Sequence, residues 1–169
     1  MRFFTKNREA SYLRTFIFGV EDSLVSTVGL LSGVAAANVP RSTLFLTGII
    51  LIFVEAFSMA AGSFLSEKSA ETFINRKSKA SINSLATALV MFISYFVSGF
   101  IPLFPYLVLH NNSAFLLSVC LSLLALFLLG LLSAYITRTN AFFEAIRMMI
   151  VGGLAIAVGV SVGALAASF

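Results

Sequence analysis

The chain has 169 residues, of which 59% are hydrophobic and only 11% are charged, against roughly 25% charged residues in an ordinary soluble protein. With a mean hydropathy of +1.02, so much apolar surface cannot be buried in a soluble domain of this size. A soluble enzyme, a nucleic-acid-binding protein and a disordered regulator are therefore excluded. The net charge of +4 comes from basic residues between apolar blocks, where such residues indicate membrane orientation. The composition predicts an integral membrane protein.

Five segments are long and apolar enough to cross a bilayer as helices. A spanning helix needs about 20 mostly apolar residues, because the hydrocarbon core is about 30 Å thick. In chain order the predicted spans are 16–37, 42–66, 84–109, 114–137 and 146–167. Strands of a membrane barrel have about ten residues of alternating polarity, and these runs are longer and more uniform. Because the connections are short, we predict one all-α, five-helix transmembrane domain over 1–169.

The distribution of lysine and arginine predicts the orientation of the chain. Ten of these 11 residues stand at the N-terminus or beside the second and fourth connections, and only Arg41 stands on the opposite side. Lysine and arginine accumulate on the cytosolic side of membrane proteins. We therefore expect a cytosolic N-terminus and an external C-terminus. The stretch before the first span is too charged and too long for a cleaved signal peptide.

Three carboxylates lie inside the predicted spans. Glu21 and Asp22 are in the first span, and Glu55 is in the middle of the second. A charged side chain at the bilayer centre costs on the order of 3 kcal/mol, so it usually faces a cavity or a partner. In an alternative interpretation, Glu21 and Asp22 reach water near the cytosolic end or pair with Arg14. The depth of Glu55 favours a functional role.

A thioether accompanies the carboxylate of the second span. Glu55, Ser58 and Met59 share one helical face, because residues three and four apart lie on the same side of a helix. Calcium and magnesium prefer oxygen ligands alone, whereas sulfur is a soft ligand, so this combination favours a transition metal such as Fe²⁺ or Mn²⁺. Ordinary packing is the alternative for Met59. Protons compete with metal ions for carboxylates, which provides a minimal basis for metal/proton exchange.

Small residues in the first and last spans predict close helix packing. Gly29 and Gly33 form one small-xxx-small pair, and Gly159 and Gly163 form another. Such pairs allow the backbones of membrane helices to approach closely. The pattern leaves open whether the contact is within one chain or between two copies.

The remaining notable residues do not indicate catalysis. Pro102 and Pro105 are expected to kink or end the third span. His110 is expected in a solvated loop, and Cys120 is expected to pack among leucines. One cysteine and one histidine exclude a disulfide framework, a cysteine zinc cluster and a multi-histidine metal site within one chain. Because no nucleophile–base pair is evident, we predict that the chain is not an enzyme and has no cofactor.

Several spans carry recognisable motifs. The more specific ones are GVEDSLVSTVGLLSGVAAA in the first span and EAFSMAAGSFLSEKSAE in the second, and FIPLFPYLV and AIRMMIVGGLAIAVGVSVGAL follow in the third and fifth. Over nearly the whole chain, the sequence resembles the vacuolar iron transporter family. The resemblance implies a five-helix homodimer that exports Fe²⁺, and often Mn²⁺, from the cytosol in exchange for protons. It also implies that Asp22 and Met59 line a metal path between the protomers.

The chain departs from the family pattern at several positions. Ser23 replaces the glycine that follows the signature aspartate, and Ser63 replaces a glutamate after the Met-Ala-Ala-Gly core. Leu51 stands where the family has a glutamate, and we expect Glu55 to take over that role. Many relatives have a long, glutamate-rich cytosolic insert that collects metal, whereas the connection here is only 67–83. The chain is therefore identified as a short member without that insert.

We therefore predict a dimeric Fe²⁺/Mn²⁺ exporter with proton antiport, whose partners are metal ions, protons, the lipid bilayer and a second copy, without nucleic acid. The predicted metal ligands are Asp22, Glu55 and Met59. Weaker candidates for proton coupling or metal entry are Glu21, Ser58, Glu67 and Glu71. Two alternatives stay open: a small proton-coupled exporter of organic cations and a non-transporting scaffold subunit. The expected location is the plasma (inner) membrane of a bacterium or a vacuolar-type membrane of a eukaryote.

Overall fold

The computed structural model describes residues 2–75, 82–109 and 112–168. This part of the chain forms helices and no strand. In chain order the helices are α1 (Arg2–Ala36), α2 (Arg41–Asn75), α3 (Ile82–Val108), α4 (Asn112–Thr137) and α5 (Ala141–Ala166). All five contain a segment long and apolar enough to cross a membrane. The predicted all-α, five-helix membrane architecture is confirmed.

Two helices extend well beyond the predicted spans. α1 begins at Arg2 rather than at 16, and α2 continues to Asn75 rather than ending at 66. Hydropathy detects only the part of a helix that fits the hydrocarbon core. The additional segments contain lysine, arginine, glutamate and alanine, which are good helix formers. Three of the basic residues in the second connection, Arg76, Lys77 and Lys79, and the predicted loop residue His110 lie outside the described residues.

α3 does not end at its prolines. It continues through Pro102 and Pro105 to Val108, so the expectation that the prolines end this span is wrong. Both prolines are fully buried, and the Oγ of Ser118 on α4 donates a 2.6 Å hydrogen bond to the carbonyl oxygen of Pro102. Membrane helices tolerate proline where neighbouring helices and serine hydroxyls satisfy the backbone.

α1 is the central helix and contacts each of the other four. One buried cluster lies towards its C-terminal half and includes Leu31, Ile52 and Leu103. A second cluster joins it to α4 and α5 through residues such as Leu24 and Met148. α2 packs chiefly on α3, and its other side exposes large apolar side chains. This arrangement puts polar residues of α1 next to both α2 and α5.

The glycine pairs bring α1 and α5 into direct backbone contact. A Cβ atom added at Gly33 would lie 2.6 Å from the carbonyl oxygen of Gly159, and one added at Gly163 would overlap the carbonyl oxygen of Gly33. Gly29 and Gly159 form a similar contact one turn earlier. Backbones can approach this closely only where no side chain intervenes. The two small-xxx-small pairs therefore meet within one chain.

Candidate functional site

Two of the predicted ligands lie together between α1, α2 and α3. Asp22 of α1 interacts electrostatically with Glu55 of α2, and Tyr95 of α3 interacts with both carboxylates. Asp22 and Glu55 are partly buried, and the Tyr95 side chain is fully buried. We call Asp22 and Glu55 the carboxylate pair. Two acidic oxygens on neighbouring helices are a suitable beginning of a cation site.

Hydrogen bonds connect α1 to α3 beside the carboxylate pair. The hydroxyl groups of Tyr95 and Ser26 are 2.7 Å apart, and Ser23 Oγ donates a 2.6 Å bond to the carbonyl oxygen of Tyr95. Gly99 makes room for Ser23, because a Cβ atom there would lie 3.0 Å from Ser23 Oγ and 2.9 Å from Ile52. The serine that departs from the family pattern is thus an ordered contact between two helices.

Removing the Tyr95 hydroxyl is expected to loosen this connection. Tyr95→Phe keeps the buried ring but deletes the hydrogen bond to Ser26, and such a bond contributes about 1 kcal/mol to stability. We expect a lower melting temperature of the detergent-solubilised protein. Tyr135→Phe is the matched control, because Tyr135 is 83% exposed. Equal melting temperatures of the two variants would contradict a stabilising role for the Ser26–Tyr95 bond.

A cavity of about 600 Å³ lies next to the carboxylate pair, between α1, α2 and α3. Its wall includes two of the predicted residues, Ser58 and Met59, together with Met91, Arg14 and Ser63. We call it the thioether cavity. Met59 follows Glu55 by four residues, and Met91 precedes Tyr95 by four. Because four residues are about one helical turn, the two methionines lie about one turn from the carboxylate pair.

Glu21 faces a different part of the bundle. Its charged neighbours are the adjacent Asp22 and, on α5, Glu144 and Arg147. Arg147 Nη2 is 2.9 Å from Glu144 Oε2, which forms an ion pair along one face of α5. The nearby cation is therefore Arg147, whereas Arg14 lines the thioether cavity. Two adjacent residues of α1 thus direct their carboxylates towards different helices.

The two other candidate acids lie beyond the predicted end of the second span. Glu67 is partly buried. Glu71 accepts a 2.7 Å hydrogen bond from Ser84 Oγ on α3. Among the described residues, no three or more histidine, cysteine, aspartate or glutamate side chains are close enough to hold a metal ion. One chain therefore offers the carboxylate pair and nearby thioethers, rather than a complete cage of conventional ligands.

Sequence reasoning missed the roles of three residues near the predicted site: Tyr95, Met91 and Arg147. Ser26 was recognisable, because it follows Asp22 by four residues and so shares its helical face. Met91 and Tyr95 have the same spacing on α3, but no charged residue in that span drew attention to them. The proximity of Arg147 to Glu21 depends on the packing of α1 against α5, which no local pattern shows.

Comparison with known proteins places the chain in a family. The sequence profile described as the VIT family matches residues 13–81 and 71–164. Vacuolar iron transporter homolog 4 of Arabidopsis thaliana is 26% identical over 92% of this chain and 84% of its own length. Vacuolar iron transporter homolog 1 of the same plant is 25% identical over 92% of this chain and 83% of its length. Vacuolar iron transporter 1 of Oryza sativa subsp. japonica is 33% identical over 43% of this chain and 29% of its length. With nearly the whole chain matched, this five-helix membrane protein belongs to the VIT family.

Proposed function

We propose that the chain is a homodimeric exporter of Fe²⁺ or Mn²⁺ that exchanges metal for protons. The observation that carries the proposal is the carboxylate pair, with Met59 about one turn away on the same face of α2 as Glu55. The iron named for the relatives supports the choice of metal. Membership of a transporter family also favours movement of an ion over catalysis.

The proposed ligands are two carboxylates and one thioether. Carboxylate oxygens bind Mn²⁺ and Fe²⁺, while the softer sulfur reduces the advantage of Mg²⁺ and Ca²⁺, which prefer oxygen alone. The metal ion is the substrate and must leave again, so a site with few charged ligands is suitable. Ser58 lies in the wall of the thioether cavity, and its hydroxyl oxygen is proposed to bind the metal ion as the ion approaches Met59.

A homodimer would complete this ligand set. A divalent transition ion takes about four to six ligands, and one chain supplies three from Asp22, Glu55 and Met59. A two-fold axis beside α2 would bring the same three residues of a second copy to the ion, because a symmetric interface uses one surface twice. The exposed side of α2 is apolar and includes Leu46, Ile50 and Phe57. Such a side suits either lipid or a second copy.

The proposed direction follows from the placement of basic residues. The thioether cavity lies on the Arg14 side of Asp22, towards the predicted cytosolic end of α1. Arg41 is the one basic residue predicted on the external side, and it donates a 2.7 Å hydrogen bond to the carbonyl oxygen of Tyr106 near the end of α3. This contact between α2 and α3 explains why an arginine stands on that side. In this orientation metal enters through the cavity, and Glu67 and Glu71 attract cations at the same end.

Protons are proposed to return through the same region. A carboxylate binds either a metal ion or a proton, so metal release and proton uptake are coupled at Asp22 and Glu55. Glu21 is proposed to assist from the α5 side, where Arg147 and Glu144 are its neighbours. The membrane would be vacuolar in a eukaryote and the plasma (inner) membrane in a bacterium.

Uptake of ⁵⁵Fe²⁺ and ⁵⁴Mn²⁺ into proteoliposomes tests the proposed function. We expect uptake when the lumen is more acidic than the medium, and little uptake when the two pH values are equal. Empty liposomes and collapse of the gradient with a proton ionophore are the controls. Gradient-independent uptake would contradict proton antiport. Failure to take up either ion, with folded protein, would contradict metal transport.

The organic-cation alternative expects aromatic side chains around Glu55. Phe53 and Phe57 flank it in sequence, but residues two apart on a helix point about 200° from each other. Phe53 instead packs on Phe96, with ring centroids 5.0 Å apart, and Phe57 is 71% exposed. The two phenylalanines therefore give the alternative no support. The aromatic ring beside the carboxylate pair is that of Tyr95, whose hydroxyl group is hydrogen-bonded to Ser26. Metal binding by the purified protein separates both transporters from a non-transporting scaffold, which would bind none.

A further inference from the structure

The thioether cavity contains a second methionine, Met91, which is not a ligand in the proposed Fe²⁺/Mn²⁺ path. Met59 and Met91 come from α2 and α3 and line the same cavity. Met91 is only 5% exposed, so its accessible surface lies in the interior of the bundle.

The sulfur of Met91 has a defined place. A Cβ atom added to Gly19 of α1 would lie 3.1 Å from Met91 Sδ, so the sulfur rests against the bare backbone of that glycine. Phe18, the preceding residue, also lines the cavity. A Cβ atom at position 19 would overlap Ser94 Oγ and crowd the Met91 sulfur. The glycine thus keeps room for Ser94 and for the thioether.

The cavity wall suits the passage of a hard dication rather than its retention. Among the described residues the wall has no carboxylate, and it has serine hydroxyls, the two thioethers and the guanidinium group of Arg14. Arginine is always protonated in proteins. Because Coulomb energy scales with the product of the charges, Arg14 repels a dication twice as strongly as a monocation. Thioethers are soft ligands, and Cu⁺ is among the metals that prefer them.

We propose that Met59 and Met91 form a two-thioether binding site for a soft monovalent cation of the Cu⁺ class. The ion is held between α2 and α3, with serine hydroxyls of the cavity available as weak additional ligands. This site shares Met59 with the proposed Fe²⁺/Mn²⁺ ligand set, whereas Met91 does not belong to that set. The second thioether gives the chain a site for a chemically distinct class of cation.

Silver ion tests the site, because Ag⁺ is a soft monovalent cation that needs no reductant. Binding is measured by isothermal titration calorimetry in detergent, with every protein carrying Cys120→Ala to remove the chain's only thiol. We expect Met59→Leu and Met91→Leu each to weaken Ag⁺ binding by about tenfold or more, as even loss of an outer-shell partner can. Met148→Leu is the control, because Met148 is buried in the cluster that joins α1 to α4 and α5 and does not line the thioether cavity. Leucine keeps the side-chain volume.

The outcomes separate the two-thioether site from the other proposals. Undiminished Ag⁺ binding by Met91→Leu would overturn it, as would loss of binding no greater than that of Met148→Leu. X-ray absorption of the Ag⁺-loaded parent protein provides a readout without the leucine variants: two sulfur neighbours are expected, and one or none would overturn the site. Wild-type Mn²⁺ uptake is measured separately, so its absence alongside Ag⁺ binding would count only against Mn²⁺ transport.

Discussion

Relative to Gly153→Ala, replacing Gly163 by alanine is expected to lower the free energy of unfolding by about 1–3 kcal/mol, the usual cost of overpacking a tight interior. The new Cβ would overlap the carbonyl oxygen of Gly33. That oxygen belongs to the backbone of α1 and cannot rotate away, so the two helices must separate. Alanine is favoured over glycine in a helix by about 1 kcal/mol, but both variants gain this amount, so it cancels in the comparison. The same reasoning applies to Gly159, whose added Cβ would overlap Gly29.

Gly153→Ala is the matched control for this prediction. It makes the same substitution on the same helix, but nothing lies within 4 Å of its added Cβ. Thermal unfolding of both variants in the same detergent, followed by intrinsic tyrosine fluorescence or circular dichroism, supplies the comparison. We expect Gly163→Ala to melt at a lower temperature than Gly153→Ala. Identical melting curves would mean that α1 and α5 do not pack at these glycines.

The number of helices was predictable because membrane insertion is a local property. Each span satisfies the apolar length requirement by itself, and no knowledge of its neighbours is needed. The ends of the helices were less predictable. Charged residues after 66 leave the hydrocarbon without leaving the helix, and Pro102 and Pro105 stay helical because neighbouring helices cover them. Both features depend on context that hydropathy does not measure.

The candidate site was predictable to the extent that burying charge is costly. Asp22 and Glu55 are conspicuous in any apolar span, and their side chains interact electrostatically in the structure. Tyr95 and Met91 are not conspicuous, since tyrosine and methionine are ordinary residues of membrane helices. Their roles arise only when α3 packs against α1 and α2. The environment of Glu21 depends on the approach of α5, which the glycine pairs allow but do not identify.

Asp22→Asn is expected to weaken Mn²⁺ binding by on the order of 100-fold. Loss of an outer-shell partner already costs up to about 100-fold in metal affinity, and loss of a direct ligand should cost at least as much. Glu55→Gln should have a similar effect if both carboxylates bind the same ion. Calorimetric titration of the purified protein measures the affinities. Glu21→Gln removes the same charge from α1 on the side that faces Arg147. We expect Glu21→Gln to lose much less Mn²⁺ affinity than Asp22→Asn, because the charged neighbours of Glu21 include Arg147 and Glu144 of α5 and not Glu55.

The double variant tests whether the carboxylate pair acts as one site. Ligands of one ion are coupled, so the loss in Asp22→Asn/Glu55→Gln should be smaller than the product of the two single losses. Each single variant also removes one of two neighbouring like charges. Like charges in a shared site repel each other. Without metal, we therefore expect each single variant to melt at a higher temperature than the wild type. When Mn²⁺ is added, we expect a smaller increase in melting temperature for each variant than for the wild type. Independent, multiplying losses and unchanged melting temperatures would show instead that Asp22 and Glu55 act separately.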